Sequence, residues 1–126
     1  MPRRVLIVED DPTFRAALEV AIAPIAEVLC AATGRDALRR LETTEVEAVV
    51  TDLEMPLMDG YELIERLRAD TRWRAMPVVV VSGATDTEAR ERVLRLGADA
   101  FFAKPYSPAE VRVAVEGLLN ARGSHA

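Results

Sequence analysis

Apolar positions along this chain alternate between short unbroken runs and runs with helical spacing. Residues 4–8 form an apolar run rich in branched side chains, which predicts a buried strand. Glu9-Asp10-Asp11 follows, and Pro12 then suits the first turn of a helix capped by Asp11. Phe14, Ala17, Leu18, Ala21 and Ile22 fall on one face of that helix, and Pro24 ends it. A second strand is expected over 26–32, and Thr33 caps a helix carrying Ala37, Leu38 and Leu41. The third strand, 46–51, ends at Asp52. A loop over 53–59 containing Met55-Pro56 leads to a helix with Leu63, Ile64 and Leu67. The most apolar strand, 77–81, is stopped by Ser82-Gly83. Thr85 and Glu88 read as the capping box of a helix that Gly97 closes. A fifth strand covers 99–103. Ser107-Pro108-Ala109-Glu110 is a stronger capping box, opening a last helix with the stripe Val111, Ala114, Val115, Leu118 and Leu119.

Strand followed by helix, five times over, with strands that are apolar nearly throughout, implies a parallel sheet covered on both faces. The expected architecture is α/β: a flavodoxin-like (βα)5 doubly wound sheet of five strands in the order 2-1-3-4-5. The 126 residues suffice for one core. The domain is placed at 1–122, and 123–126 is read as a disordered tail or linker stub.

Composition narrows the function. The formal charge of −5 argues against direct nucleic-acid binding by this domain, which would need clustered positive charge. No apolar run approaches the roughly 20 residues needed to cross a bilayer. The N-terminus shows no signal-peptide pattern, so the expectation is a cytoplasmic protein without a membrane partner. The one cysteine, Cys30, lies among apolar residues and reads as packing. The one histidine, His125, is next to the last residue, which argues against histidine catalysis and multi-histidine metal sites. Basic residues are arginine with a single exception, Lys104, and a compact ammonium meets a small anion as a point charge where guanidinium offers a planar fork.

In such a sheet, ligands bind beyond the carboxyl ends of the strands. Glu9 and Asp10 follow the first strand, Asp52 the third, Ser82 the fourth, and Lys104-Pro105 the fifth. Three carboxylates, a hydroxyl and an ammonium therefore converge on one edge. Like charges this close repel by roughly 4 kcal/mol per pair at 4 Å and an effective dielectric near 20. A bound cation or raised pKa values must relieve them. A few oxygen ligands suit Mg²⁺, which is often completed by phosphate. Lys104 and Ser82 are placed to hold the oxygens of a tetrahedral anion, and Asp52 to act as the carboxylate nucleophile of phosphoryl transfer.

Four segments together resemble the receiver domain of two-component response regulators over roughly residues 3–121. They are Val5-Leu6-Ile7-Val8-Glu9-Asp10-Asp11-Pro12; Thr51-Asp52-Leu53-Glu54-Met55-Pro56 with Asp59-Gly60; Ser82-Gly83; and Phe101-Phe102-Ala103-Lys104-Pro105. The resemblance implies a phosphorelay signalling switch, a phosphoacceptor that assists its own phosphorylation and dephosphorylation rather than an enzyme. Asp52 would take the phosphoryl group from a sensor histidine kinase or histidine phosphotransfer protein. Asp10, Asp52 and the backbone carbonyl of Glu54 would ligate Mg²⁺, with Glu9 acting through water and Mn²⁺ able to substitute. Ser82 would hydrogen-bond the phosphoryl group and Lys104 would pair with it. Pro105 would follow a cis peptide bond. Phe101 occupies the place of an aromatic rotamer switch coupled to Ser82, with plain core packing as its other reading. The surface of the fourth and fifth helices and the fifth strand would then change its affinity for a downstream effector. Glu54 and Ala84 would tune the phosphoryl lifetime.

Receivers that dimerise like winged-helix transcription factors usually pair an acidic residue after Gly-Ala-Asp with an arginine on the last helix. Ala100 and Ala114 stand at those positions, which counts against that dimer and leaves open a monomer or a different oligomer, a phosphorylation-dependent homodimer among them. Arg90, Arg92 and Arg95 form either a partner patch or a solvated face. Two alternatives compete with the switch: a phosphorylation-independent pseudo-receiver, and a small aspartyl-phosphate hydrolase, for which the chain has no room for a cap domain.

Overall fold

The computed structural model describes residues 3–55, 58–83 and 87–123. The chain runs through strand β1 (Arg4–Val8), helix α1 (Pro12–Ile22), β2 (Glu27–Ala31), α2 (Gly34–Thr43), β3 (Ala48–Asp52), α3 (Gly60–Ala69), β4 (Val78–Ser82), α4 (Thr87–Leu96), β5 (Ala100–Ala103) and α5 (Pro108–Gly123). All strands are parallel, in the order β2-β1-β3-β4-β5. This is the doubly wound sheet that the sequence pattern predicts.

Strand side chains alternate between faces, and the two halves of the core follow that alternation. Leu6, Val8, Val49, Val78 and Val80 pack with Ala37, Leu41, Leu63, Ile64, Leu67 and Val93 under α2, α3 and α4. Val5, Ile7, Val50, Val79 and Val81 pack with Leu18, Ile22, Val111, Val115 and Leu119 under α1 and α5. Strands β3 and β4 are buried along their whole length, which is why their sequences show no polar alternation.

Helix starts follow the caps. The Asp11 carboxylate accepts from Thr13 N and Phe14 N, Thr33 Oγ1 from Asp36 N, and Asp59 from Glu62 N. At α5 the Ser107 hydroxyl accepts from Glu110 N at 3.4 Å. The cap expected at Thr85 lies outside the described residues, as do Pro56, Ala84 and His125. Gly97 closes α4 with φ +111°, its N–H reaching Leu94 O while Ala98 N reaches Val93 O.

Element ends shift by one or two residues from the expected ones. β2 is shorter at both ends than 26–32, and β3 begins at Ala48 rather than 46. β4 includes Ser82, whose carbonyl accepts from Lys104 N at 2.7 Å. β5 begins at Ala100, and the Asp99 carboxylate turns aside to accept from Val78 N at 2.8 Å and from Arg68. α5 extends through Gly123, one residue past the expected boundary at 122.

The sequence pattern gives no hint of Arg68. Its guanidinium donates to the carbonyls of Gly97, Trp73, Arg74 and Met76 and to Asp99. It ties the end of α3 to the loops that enter β4 and β5, and burial lowers its pKa. Trp73, half-buried in one of those loops, packs on the core with the Arg72 guanidinium 4.1 Å above its ring.

Candidate functional site

Three strand ends and one backbone approach assemble the site. β1 delivers Glu9 and Asp10, β3 ends on Asp52, and β5 is followed by Lys104. The start of α3 packs against the end of β3, where Gly60 N donates to Leu53 O at 2.9 Å. A Cβ at position 60 would collide with the Asp52 carbonyl, so glycine permits this close approach.

Asp52 is buried and its two carboxylate oxygens have different partners. Oδ1 accepts from Leu53 N at 2.7 Å and from Glu54 N at 3.2 Å. Oδ2 receives the Lys104 ammonium at 2.9 Å. The same ammonium donates to Glu9 Oε1 at 2.9 Å, while Glu9 Oε2 accepts from Asp11 N at 3.2 Å. Glu9 is fully buried, and Asp10 is exposed. Donor oxygens of Glu9, Asp10 and Asp52 all lie within 4.8 Å of one another.

This crowding sets the electrostatics. Burial first, and the Asp52 charge with it, push the Glu9 carboxyl up to about 7, although its hydrogen bond from Lys104 works the other way. Burial disfavours the Lys104 charge, but the hydrogen bonds to Glu9 and Asp52 outweigh it and raise that pKa. An ammonium thus supplies part of the countercharge that the acidic cluster demands. The all-oxygen donor set, open toward solvent at Asp10, fits a hard divalent cation of the Mg²⁺ type.

The other candidates fall around this centre. Ser82 is buried at the end of β4, one position beyond the Val81 that pairs with Asp52. Glu54 is exposed, and its N–H lies on Asp52 Oδ1. The Lys104–Pro105 peptide bond is cis. Phe101 is half-buried and packs on the core beneath α2, α3 and α4. Arg90, Arg92 and Arg95 are exposed on α4, with the Arg92 guanidinium 3.9 Å above the Tyr61 ring. Cys30 is half-buried, its thiol donating to Glu19 Oε1 at 3.0 Å.

Two aromatic side chains join the site without a signal in the sequence pattern. Phe14, which helical spacing assigns to the buried stripe of α1, carries the Lys104 ammonium 4.1 Å above its ring. Tyr106 lies 6.1 Å from Phe14 between ring centroids. An aromatic residue two places after the strand-end lysine is the only hint the sequence offers.

The family model described as response regulator receiver domain matches residues 5–116. Transcriptional regulatory protein PrrA of Mycobacterium tuberculosis is 37% identical over 124 residues, covering 98% of this chain and 52% of that protein. The chain thus spans about half the length of the curated relatives it matches first. Among solved structures, the receiver domain of a signal transduction histidine kinase from Syntrophus aciditrophicus superimposes with a TM-score of 0.86 at 32% identity, covering 94% of this chain and 91% of that one. The receiver domain of sensor histidine kinase PA1611 from Pseudomonas aeruginosa, described with a magnesium ion coordinated in its active-site cleft, gives 0.84 at 26% identity, covering 95% and 99%.

Proposed function

The chain belongs to the response regulator receiver domain family, and on that premise we propose that it is a signalling switch accepting a phosphoryl group on Asp52. The observation that carries this reading is the unequal environment of the Asp52 oxygens. Two backbone N–H groups hold Oδ1, which leaves Oδ2 beside Lys104 as the oxygen able to attack.

Oδ2 attacks the phosphorus of a phosphohistidine on a sensor kinase or a phosphotransfer protein. The P–O bond to Asp52 forms as the P–N bond breaks, and the imidazole leaves to take up a proton. Lys104 follows the incoming phosphoryl oxygens and neutralises their charge, and Ser82 hydrogen-bonds one of them. Asp10, Asp52 and the Glu54 carbonyl would hold Mg²⁺, with Glu9 acting through water; Mn²⁺ would substitute. The cation supplies charge neutralisation at the phosphoryl oxygens when bound. The PA1611 receiver, with magnesium in its cleft, supports this assignment by similarity.

In this reading Phe101 and Ser82 link the site to the surface of α4, β5 and α5, whose affinity for a downstream effector changes on phosphorylation. A phosphorylation-dependent homodimer is one such output. The domain itself does not contact nucleic acid, and it works in the cytoplasm. Among the described residues no helix is long and apolar enough to cross a membrane.

The test is intact mass after incubation with acetyl phosphate and Mg²⁺, beside an Asp52→Asn control. One added phosphoryl group in the parent alone is the expected result. If neither protein gains mass and neither binds beryllofluoride, the chain is a phosphorylation-independent interaction module. Steady turnover of a phosphomonoester would instead favour a hydrolase.

A further inference from the structure

Lys104 is the only lysine in the chain, and its ammonium meets three groups. It donates to Glu9 Oε1 and to Asp52 Oδ2, each at 2.9 Å, and it stands 4.1 Å from the centroid of the Phe14 ring, over its face. That third distance lies inside the reach of a cation–π attraction. The lysine side chain is largely shielded from solvent, so water screens the attraction little.

Two sets of contacts fix the ring. Phe14 belongs to the first turn of α1, where its N–H and that of Thr13 donate to the Asp11 carboxylate, and Asp11 N in turn donates to Glu9 Oε2. The Tyr106 ring, itself packed on the core beneath α1 and α5, lies 6.1 Å from the Phe14 ring between centroids. A lysine side chain, by contrast, is long and flexible and loses much rotamer freedom when it is held. The aromatic face is thus a fixed platform under a mobile cation.

Phosphoryl transfer alters the other contacts. Once bonded to phosphorus, Asp52 Oδ2 no longer offers a carboxylate charge to Lys104, and Glu9 also serves the cation in the reading above. The Phe14 ring takes part in neither. Being uncharged, it leaves the charge of the ammonium to the incoming phosphoryl oxygens, which a third carboxylate would not. We propose that Phe14 is a positioning residue, whose aromatic face holds the Lys104 ammonium beside the acceptor oxygen while its hydrogen bond passes from Oδ2 to a phosphoryl oxygen. The inference rests on the phosphoacceptor reading and adds a residue to it.

The experiment uses the full chain, with beryllofluoride and Mg²⁺ as the phosphoryl probe. Phe14 is replaced site-specifically by phenylalanines carrying one, two and three ring fluorines, which keep the shape of the ring and weaken the negative charge of its face stepwise. Affinity for the probe is expected to fall at each step, by roughly 2- to 30-fold over the series. Phe14→Leu is expected to fall at least as far. A ring that only filled space would give no such gradation. A second measurement reads the lysine directly. With one lysine in the chain, ¹³C-lysine labelling gives a single ε-CH₂ signal, and the ring face is expected to shift its protons upfield. The shift should persist when the probe binds and be absent in Phe14→Leu. Equal probe affinity across the fluorinated series, or an ε-CH₂ signal without the upfield shift in the probe-bound parent, overturns this inference alone. A parent that binds no beryllofluoride overturns the phosphoacceptor reading and this inference with it.

Discussion

The Lys104 ammonium stands 2.9 Å from Glu9 Oε1, a contact that closes the first and last strand ends of the sheet around Asp52. The lysine side chain is 15% exposed and the glutamate side chain 1%, so the pair is shielded from solvent more than an ordinary surface ion pair. Removing one partner from such a pair costs more than the pair itself contributes. Lys104→Met is expected to destabilise the metal-free protein by about 1–3 kcal/mol, an amount reduced because Glu9 can take up a proton. Urea unfolding at pH 6 and pH 8 checks this, with the larger loss expected at pH 8, where the unpaired Glu9 is harder to keep neutral.

Glu9 itself gives the protein a pH slope. Its carboxyl lies at about 7 in the fold against an ordinary 4.5, because burial disfavours the charge. A raised folded-state pKa means that the native state binds the proton more tightly. The contribution is therefore full below about 4.5 and is lost as pH rises through about 7. Metal-free stability attributable to Glu9 should fall across that window. Glu9→Gln should flatten the slope, and denaturant midpoints between pH 5 and 7.5 measure it. A slope unchanged in Glu9→Gln would assign it to other groups.

Asp10 is the exposed member of the acidic cluster, within reach of the oxygens of Glu9 and Asp52. Asp10→Asn is expected to weaken Mg²⁺ binding at least about tenfold, as loss of a direct carboxylate ligand should. The same change removes a repulsive charge, so the metal-free variant should melt at the parent's temperature or above it. Calorimetric titration with Mg²⁺ and melting in EDTA test the two halves separately. A lower melting temperature in EDTA with unchanged Mg²⁺ affinity would contradict both.

Arg68 and Gly97 form a second region of high constraint, outside the acidic cluster. Arg68→Ala strips donors from four backbone carbonyls and from Asp99, and a loss of about 2–4 kcal/mol is expected. Arg68→Lys should recover little of it, because one ammonium cannot span a planar fork's partners. Gly97→Ala forces a Cβ to within 2.9 Å of Arg68 Nε at a backbone φ of +111°, and should cost about 1–3 kcal/mol. Chemical denaturation of the three variants ranks these effects.

Cys30 should be a poor nucleophile. Burial, and then the hydrogen bond to Glu19, push its thiol up to about 12. Alkylation of the native protein at pH 8 is expected to be roughly 100-fold or more slower than that of the unfolded chain. Iodoacetamide labelling followed by mass measurement, with and without urea, would show it. Equal rates would mean that the thiol is far more accessible than its contacts indicate.

The sequence by itself determined the element order, the parallel sheet and the acidic strand ends. Unbroken apolar runs such as Val78-Val79-Val80-Val81 cannot sit half-exposed, so they demand helices on both faces. Glu9, Asp10, Asp52 and Lys104 were legible because strand ends in this topology share one edge, whatever the side chains do there. Caps such as Asp11 and Thr33 were legible for the same local reason, a side chain that bonds its own helix start. Tertiary structure decided the rest. Which carboxylate oxygens Lys104 would hold, that Phe14 would lie beneath that ammonium, and that the Tyr106 hydroxyl would be buried without a partner depend on side chains from distant segments meeting at fixed distances. The five carbonyl and carboxylate partners of Arg68 are likewise invisible to periodicity, which records whether a position is buried but not what it touches.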